Sequence, residues 1–482
     1  MKASYDILIA GAGPAGSALA IELGGEGYSV LLMDAARFPR DKPCGDYVSP
    51  RGLARLDALG CGAAIRRLGS TPIRASRLYL NREELVSGTL PKVAGLPAHG
   101  LALPRRELDE ILFRRALASG AEGRESCRVK GFEQVPGGIE AIATWNGEPH
   151  RVRGKLLIGA DGATSAVARA AGLGMTDPRH TLASLRAYVE GPSLDHTIMY
   201  FDERYFPGYG WVFPVRPGLC NIGVGMVTEP MTKHKIRLLD FHQKLERLVL
   251  RLGRSQGVTV TLGPHRGWPI HSYGAAGKNC FERGLLIGEA GGFVDPINGE
   301  GIPLAMESAR IAARTIRAAF ARGAFDEISL ARYERDFRAH FDPDLDISDL
   351  AVSLIRNRYL LPVWLASFRA MSHTARQDET YAAITGGILG GVLPARRGIT
   401  PEMFVRTLAR GPAVLGQALH ERGPKTWNDL ISSVQSFAHW QSSVRRALVE
   451  DGPWLRAWAE EIAAKQRKVG ARALRGMLAS QV

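Results

Sequence analysis

A short apolar strand that turns through three spaced glycines into a helix, alternating segments between residues 179 and 278, and helix-period apolar spacing after Ala339 together predict an α/β protein. The expected architecture is a Rossmann-type dinucleotide-binding domain with an inserted β-rich substrate domain and a helical C-terminal region. A length of 482 residues suits two or three cores rather than one. The expected boundaries are 1–75, 100–178 and 279–345 for the discontinuous nucleotide-binding domain. Residues 76–99 and 179–278 form the β-rich domain, and 346–482 the helical one.

The first element is the run Tyr5-Asp6-Ile7-Leu8-Ile9-Ala10, apolar almost throughout, as a strand buried on both faces should be. Gly11-Ala12-Gly13-Pro14-Ala15-Gly16 follows, and residues 17–23 continue with good helix formers. Each glycine has a physical reason. Gly11 permits the tight turn, Gly13 lets the backbone approach a pyrophosphate, and Gly16 lets the helix pack on the strand. The anion then meets free N–H groups at the positive end of the helix, next to Ala15. A second strand spans residues 28–33 and ends on Asp34, about twenty residues after the glycines, where an acid can accept from a ribose hydroxyl.

Composition excludes other classes. With 45% hydrophobic and 23% charged residues the chain is globular, not disordered. The net charge is +14, but arginines are spread along the chain and no basic arm is interleaved with aromatics, so no nucleic-acid partner is expected. The five cysteines include no Cys-x-x-Cys pair. That argues against a disulfide framework and a zinc site, and no metal is assigned. No signal-peptide pattern and no run of about 18 apolar residues is present, so a cytoplasmic protein is expected, with peripheral membrane contact left open.

Two later segments extend the first motif. One is Leu156-Leu157-Ile158-Gly159-Ala160-Asp161-Gly162-Ala163-Thr164-Ser165, followed by Arg169. The other runs from Gly284 through Gly288-Glu289-Ala290-Gly291-Gly292 to Asp295-Pro296-Ile297-Asn298-Gly299-Glu300-Gly301-Ile302. They resemble the paired fingerprints of the flavoprotein hydroxylase superfamily, whose members bind FAD on one Rossmann domain. The resemblance implies that Asp161 and Gly162 approach the flavin and that Gly288 and Glu289 approach the ribityl chain. It also implies that Pro296, Gly299, Gly301 and Ile302 place backbone N–H groups beside the flavin pyrimidine ring. Glu289 departs from the usual Asp and is one methylene longer. Arg105, in Arg105-Arg106-Glu107-Leu108-Asp109, resembles the superfamily arginine that contacts the FAD phosphates.

Lys42-Pro43-Cys44-Gly45-Asp46 and Tyr209-Gly210-Trp211-Val212-Phe213-Pro214 narrow the branch. Together they are similar to the geranylgeranyl reductase family, over roughly residues 1–345. The resemblance implies that Cys44 and Gly45 lie near the flavin and that the aromatic strand crosses the substrate cavity. Alternate strand residues face one side, so Tyr209, Trp211 and Phe213 form one aromatic face suited to an apolar, prenyl-like or polycyclic substrate. The implied reaction is hydride delivery from reduced flavin to a carbon–carbon double bond, with Cys44 as the candidate catalytic proton donor.

Other readings share the FAD motifs. A flavin monooxygenase of an aromatic or polyketide-type substrate carries the same fingerprints. A flavin-dependent halogenase typically shows Trp-x-Trp-x-Ile-Pro, where this strand reads Tyr-Gly-Trp-Val-Phe-Pro. A non-enzymatic flavin sensor is a further alternative. No second glycine fingerprint exists, so NAD(P)H or another electron donor must dock transiently. The oligomeric state is not legible in the sequence. In the C-terminal part, residues 350–371 show helix spacing, residues 382–393 are apolar and glycine-rich, and Trp427, Trp440, Trp454 and Trp458 sit amid basic helices.

Overall fold

The computed structural model describes residues 4–275, 277–400, 402–403, 406, 441–442, 445–446 and 448–479, so Trp427 and Trp440 lie outside the described residues. The protein is an α/β fold in which two sheets and a helical region enclose one large cavity.

The first sheet is built from the apolar runs read in the sequence. Its order is Cys280–Phe281, Gly284–Leu286, Glu148–Gly159, Tyr5–Ala10, Val30–Met33 and Glu122–Arg124. Ile7 pairs with Val30 on one side and Leu156 on the other, both in parallel register, and Leu157 pairs with Gly284. Ile7, Leu8 and Ile9 are fully buried because helices and the hairpin of Cys127–Val135 with Gly138–Trp145 cover the two faces. The fingerprint helix Pro14–Glu22 packs against the long helix Ile302–Arg322, which ends at Gly323 in the left-handed conformation.

The second sheet is mostly antiparallel. Its order is Thr261–Leu262, Thr181–Glu190, Leu219–Val227, Tyr209–Arg216, Thr197–Phe201, Ala75–Leu80 and Glu83–Thr89, with Arg266–His271 also paired to Thr181–Glu190. Strand alternation gives this sheet two different faces. Val212, Ile222 and Val224 face outward and are covered by Phe241, Leu245 and Val249 of an outer helix, Leu238–Ser255. Tyr209, Trp211 and Phe213 face the cavity instead.

Some elements differ from the expected ones. Within residues 257–262 only Thr261–Leu262 is strand, and the outer helix interrupts the β-rich segment. Residues 350–371 are not one helix. Arg332–Ile355 runs unbroken across the expected boundary at 345, and Asn357 then caps a short turn before Leu361–Gln377 begins with Pro362. Residues 382–393 hold the helix Glu379–Leu389 and the turn after it. Among the described residues, no helix is long and apolar enough to cross a membrane.

Candidate functional site

The glycine turn is fixed by contact as well as by torsion. Gly11 has φ +98°, and a Cβ there would lie 2.4 Å from the Ala160 carbonyl oxygen, while one at Gly16 would lie 1.9 Å from the Gly11 carbonyl oxygen. Gly13 is different. A Cβ there would meet only the guanidinium tips of Arg40 and Arg105, at 3.6 and 3.7 Å. The helix behind it has no side-chain cap and no acid in its first turn, so its N–H groups and two cations frame an anion cradle.

Those cations are held in place. Buried Arg105 donates from Nε and Nη2 to the two oxygens of Asp109, at 2.7 Å each, and Arg40 Nη1 lies 2.9 Å from the same carboxylate. Burial opposes the Arg105 charge, but Asp109 outweighs it and holds the guanidinium pKa above its usual value. Asp34 accepts from the N–H groups of Ala12 and Ala36, both at 2.9 Å, and pairs with Arg40 at 3.3 Å. This ties the acid to the glycine turn. Glu289 pairs with Lys42 at 2.8 Å. Asp161 accepts from Ser165 and from the N–H of Ala166 (2.7 Å), and burial raises its carboxyl pKa.

Gly11, Gly13, Asp34, Arg40, Lys42, Arg105, Asp161 and Glu289 all line one cavity of about 710 Å³, within the usual range for small-molecule sites. The cavity runs from Met33 and Asp34 past Gly13 and Arg105 to the aromatic strand and the Asn298–Ile302 turn. Of the predicted residues, Gly16, Gly288 and Pro296 support the walls from behind, and the others line the cavity. Gly288 donates to Ser308 at 2.9 Å, which fixes the preceding turn to the long helix. That helix starts at Ile302 with Gly301 as its N-cap and no side-chain cap bond, so its positive end also points into the cavity.

At this end Tyr209, Trp211 and Phe213 stand in a row with ring centroids 6.1 Å apart. The Cys44-Gly45 turn lies on them, and a Cβ at Gly45 would sit 3.2 Å from the Phe213 ring. Trp211 Nε1 donates to Asn221 Oδ1 at 2.9 Å. Asn221 Nδ2 in turn reaches the Cys44 carbonyl (2.9 Å) and Asp46 Oδ2 (2.7 Å). Tyr188 also donates to Asp46 Oδ2. Cys44 Sγ accepts from the Asp46 N–H at 3.3 Å, and burial raises the thiol pKa.

Two carboxyls here escaped the sequence reading. Asp46 is fully buried, its Oδ1 has no hydrogen-bond partner, and burial pushes its pKa up to about 7 against the opposing effect of Tyr188 and Asn221. Burial also raises Glu300 to about 7, and its Oε1 has no hydrogen-bond partner. Both lie inside quoted motifs, so their positions were visible but their environments were not. Leu389 and Gly391 complete the cavity wall from the apolar stretch after residue 382.

The residues therefore fit a long anionic dinucleotide. The cradle at Gly13 with Arg40 and Arg105 matches a pyrophosphate, Asp34 a ribose, and the uncapped Gly301–Ile302 end an electron-rich ring edge. A family model described as the FAD binding domain matches residues 4–343. The chain is similar to a menaquinone reductase of Mycolicibacterium smegmatis, 34% identical over 328 residues, covering 65% of this chain and 76% of that one. It is similar to a digeranylgeranylglycerophospholipid reductase of Methanococcus vannielii, 29% identical, covering 69% and 82%. In fold it is similar to a geranylgeranyl bacteriochlorophyll reductase-like structure from Thermoplasma acidophilum, with TM-score 0.68 and 20% identity, covering 86% and 98%.

Proposed function

The chain belongs to the geranylgeranyl reductase family of single-Rossmann FAD-dependent oxidoreductases, and from that premise we propose that it reduces a carbon–carbon double bond in an apolar, isoprenoid-bearing substrate. The observation that carries this reading is the single cavity that joins the dinucleotide cradle to the aromatic row. When bound and reduced, FAD would supply the hydride, and Gly13, Asp34, Arg40 and Arg105 would hold the cofactor.

The chain's own residues do the rest. Tyr209, Trp211 and Phe213 present flat apolar surface to a prenyl chain, and Leu389 lines the same cavity. An alkene that gains a hydride must also gain a proton. Cys44 Sγ holds one, since burial keeps the thiol protonated at neutral pH. Asp46 sits next to it as a second proton-holding group. The electron donor docks transiently, and exposed Arg169 supplies positive charge at the cavity wall for it.

The test is anaerobic. FAD-loaded protein is reduced chemically and mixed with either a prenylated quinone or a geranylgeranyl lipid. The expected result is flavin reoxidation without oxygen and two hydrogens gained within the isoprenoid chain, which persist after any quinol formed has been reoxidised in air. A flavin that stays reduced with every isoprenoid, but yields an oxygenated product once air is admitted, would replace the reductase reading with a monooxygenase.

A further inference from the structure

Outside the cavity, three metal-ligating side chains converge on the outer surface of the second sheet. His242 and Glu246 stand one turn apart on the outer helix Leu238–Ser255, and His265 comes from the loop before strand Arg266–His271. His242 Nδ1 lies 2.9 Å from Glu246 Oε1, and His265 Nε2 lies 2.5 Å from the same oxygen. The three ligand atoms all fall within 4.8 Å of one another. The two imidazole rings meet edge to face at 4.6 Å.

We propose that His242, Glu246 and His265 form a site for a divalent transition metal of the zinc type, which ties the outer helix to the loop that begins strand Arg266–His271. The reading is independent of the flavin chemistry. Two imidazoles and one carboxylate, with a fourth position open to water, are a zinc-type donor set, whereas calcium and magnesium take oxygen ligands. Ligand atoms around such an ion stand about 3.4 Å apart, so each histidine need open from Glu246 by about 0.5 to 0.9 Å, and the separation between the two histidines, at most 4.8 Å, need change by no more than about 1.4 Å.

Electrostatics favours a cation here. Glu246 is only 13% exposed, and among the described residues its ion-pair partners are these two histidines, with no Lys or Arg. His242 is fully buried, with Nδ1 turned to the Glu246 carboxylate. The Ile222 backbone also hydrogen-bonds this ring, a contact that would orient it for binding through Nδ1. His265 is 35% exposed, which leaves one side of the cluster open for entry and for a water ligand. The cysteine spacing that argued against zinc does not bear on this site, because the fold brings His265 to Glu246 from 19 residues away.

The site lies one residue from strand Arg266–His271, whose Trp268 and Ile270 line the main cavity. A bound ion would therefore fix one edge of that wall from outside.

The experiment uses FAD-loaded full-length protein, freed of metal with a chelator and titrated with Zn²⁺ by calorimetry, alongside a thermal melt. The expected result is one equivalent bound and a raised melting temperature. His265→Ala and Glu246→Gln should each weaken that binding at least tenfold and abolish the thermal shift, with the flavin spectrum unchanged. His265 and Glu246 are chosen because buried His242 is needed for packing. If Zn²⁺ does not bind, or binds both variants as tightly as wild type, the site is refuted. Zinc taken up by Cys44 would give that second outcome.

Discussion

At the scale of single residues, the buried carboxyl of Asp46 makes stability depend on pH. Its folded pKa, about 7, lies above the ordinary carboxylate value, because burial disfavours the charge. The folded state therefore binds this proton more tightly than the unfolded chain. The resulting stability is fully present below about pH 4 and is lost as pH rises through about 7. Buried histidines such as His180, His242 and His271, whose pKa values are lowered by burial, act in the opposite sense below pH 6.5. Comparison with Asp46→Asn separates the two, since the amide keeps an acceptor for Tyr188 but cannot ionise. In urea unfolding at pH 5 and pH 8, wild type should lose on the order of 2 kcal/mol relative to Asp46→Asn. Parallel pH dependences would show that Asp46 ionises normally. Arg105 offers a second test. Removing it leaves Asp109, which is fully buried, with Arg40 as its remaining ion-pair partner among the described residues. Arg105→Ala should cost about 3 kcal/mol in stability and weaken FAD binding at least tenfold, as read by urea melts and flavin retention. Arg105→Lys should restore only part of the stability, because a lysine keeps a charge beside Asp109 but cannot make the bidentate contact with it.

At the scale of the element, the strand Tyr209–Arg216 predicts that neighbouring residues have unrelated roles. Val212 is fully buried under Phe241 and Leu245, whereas Phe213 faces the cavity. Val212→Ala should lower stability by about 2 kcal/mol and leave KM for the reducible substrate unchanged. Phe213→Ala should raise KM several-fold with little loss of stability. Kinetics and melts on the two variants check both, and an effect of Val212→Ala on KM would mean that the two faces are not independent. This strand was legible because a two-residue period dictates its faces. The fingerprint was legible for a similar reason: torsion and contact at Gly11 and Gly16 admit no side chain. The outer helix carried a readable signal in the spacing of Phe241, Leu245 and Val249, but the alternating segments on either side masked it. The Leu389 wall and the His265 ligand depend on contacts distant in sequence, which no local period encodes.

At the scale of the whole molecule, the C-terminal helix Gly452–Ala479 behaves as a charged strap. The helix Arg332–Ile355 buries Asp342, Asp346 and Asp349, a cost that requires partners. The strap supplies them: Lys465 pairs with Asp349 at 2.8 Å, Lys468 with Asp346 at 2.7 Å, and Arg472 with both Asp342 and Asp346. Tyr273 adds a hydrogen bond to Asp342 at 2.7 Å. Two tryptophans extend the grip, with Trp458 donating to the Ser353 carbonyl (2.8 Å) and Trp454 to Glu229 (3.0 Å). A smaller cavity of about 340 Å³ lies beneath, lined by Gly291, Gly292, Phe293, Lys465 and Lys468. The strap thus backs the turn that follows Glu289 rather than the substrate end. Removing its cations leaves buried carboxylates with too few partners, a loss of about 3 kcal/mol that falls on strap docking. The double substitution Lys468→Ala with Arg472→Ala should therefore speed amide exchange across residues 452–472 and along Arg332–Ile355. Exchange in Tyr5–Ala10 should not change, and bound FAD should be retained, because none of Gly13, Arg105 and Asp34 lines the cavity beneath the strap. Exchange that accelerates equally in Tyr5–Ala10 would mean that the strap and the nucleotide domain unfold as one unit, and the two-part picture would have to be abandoned.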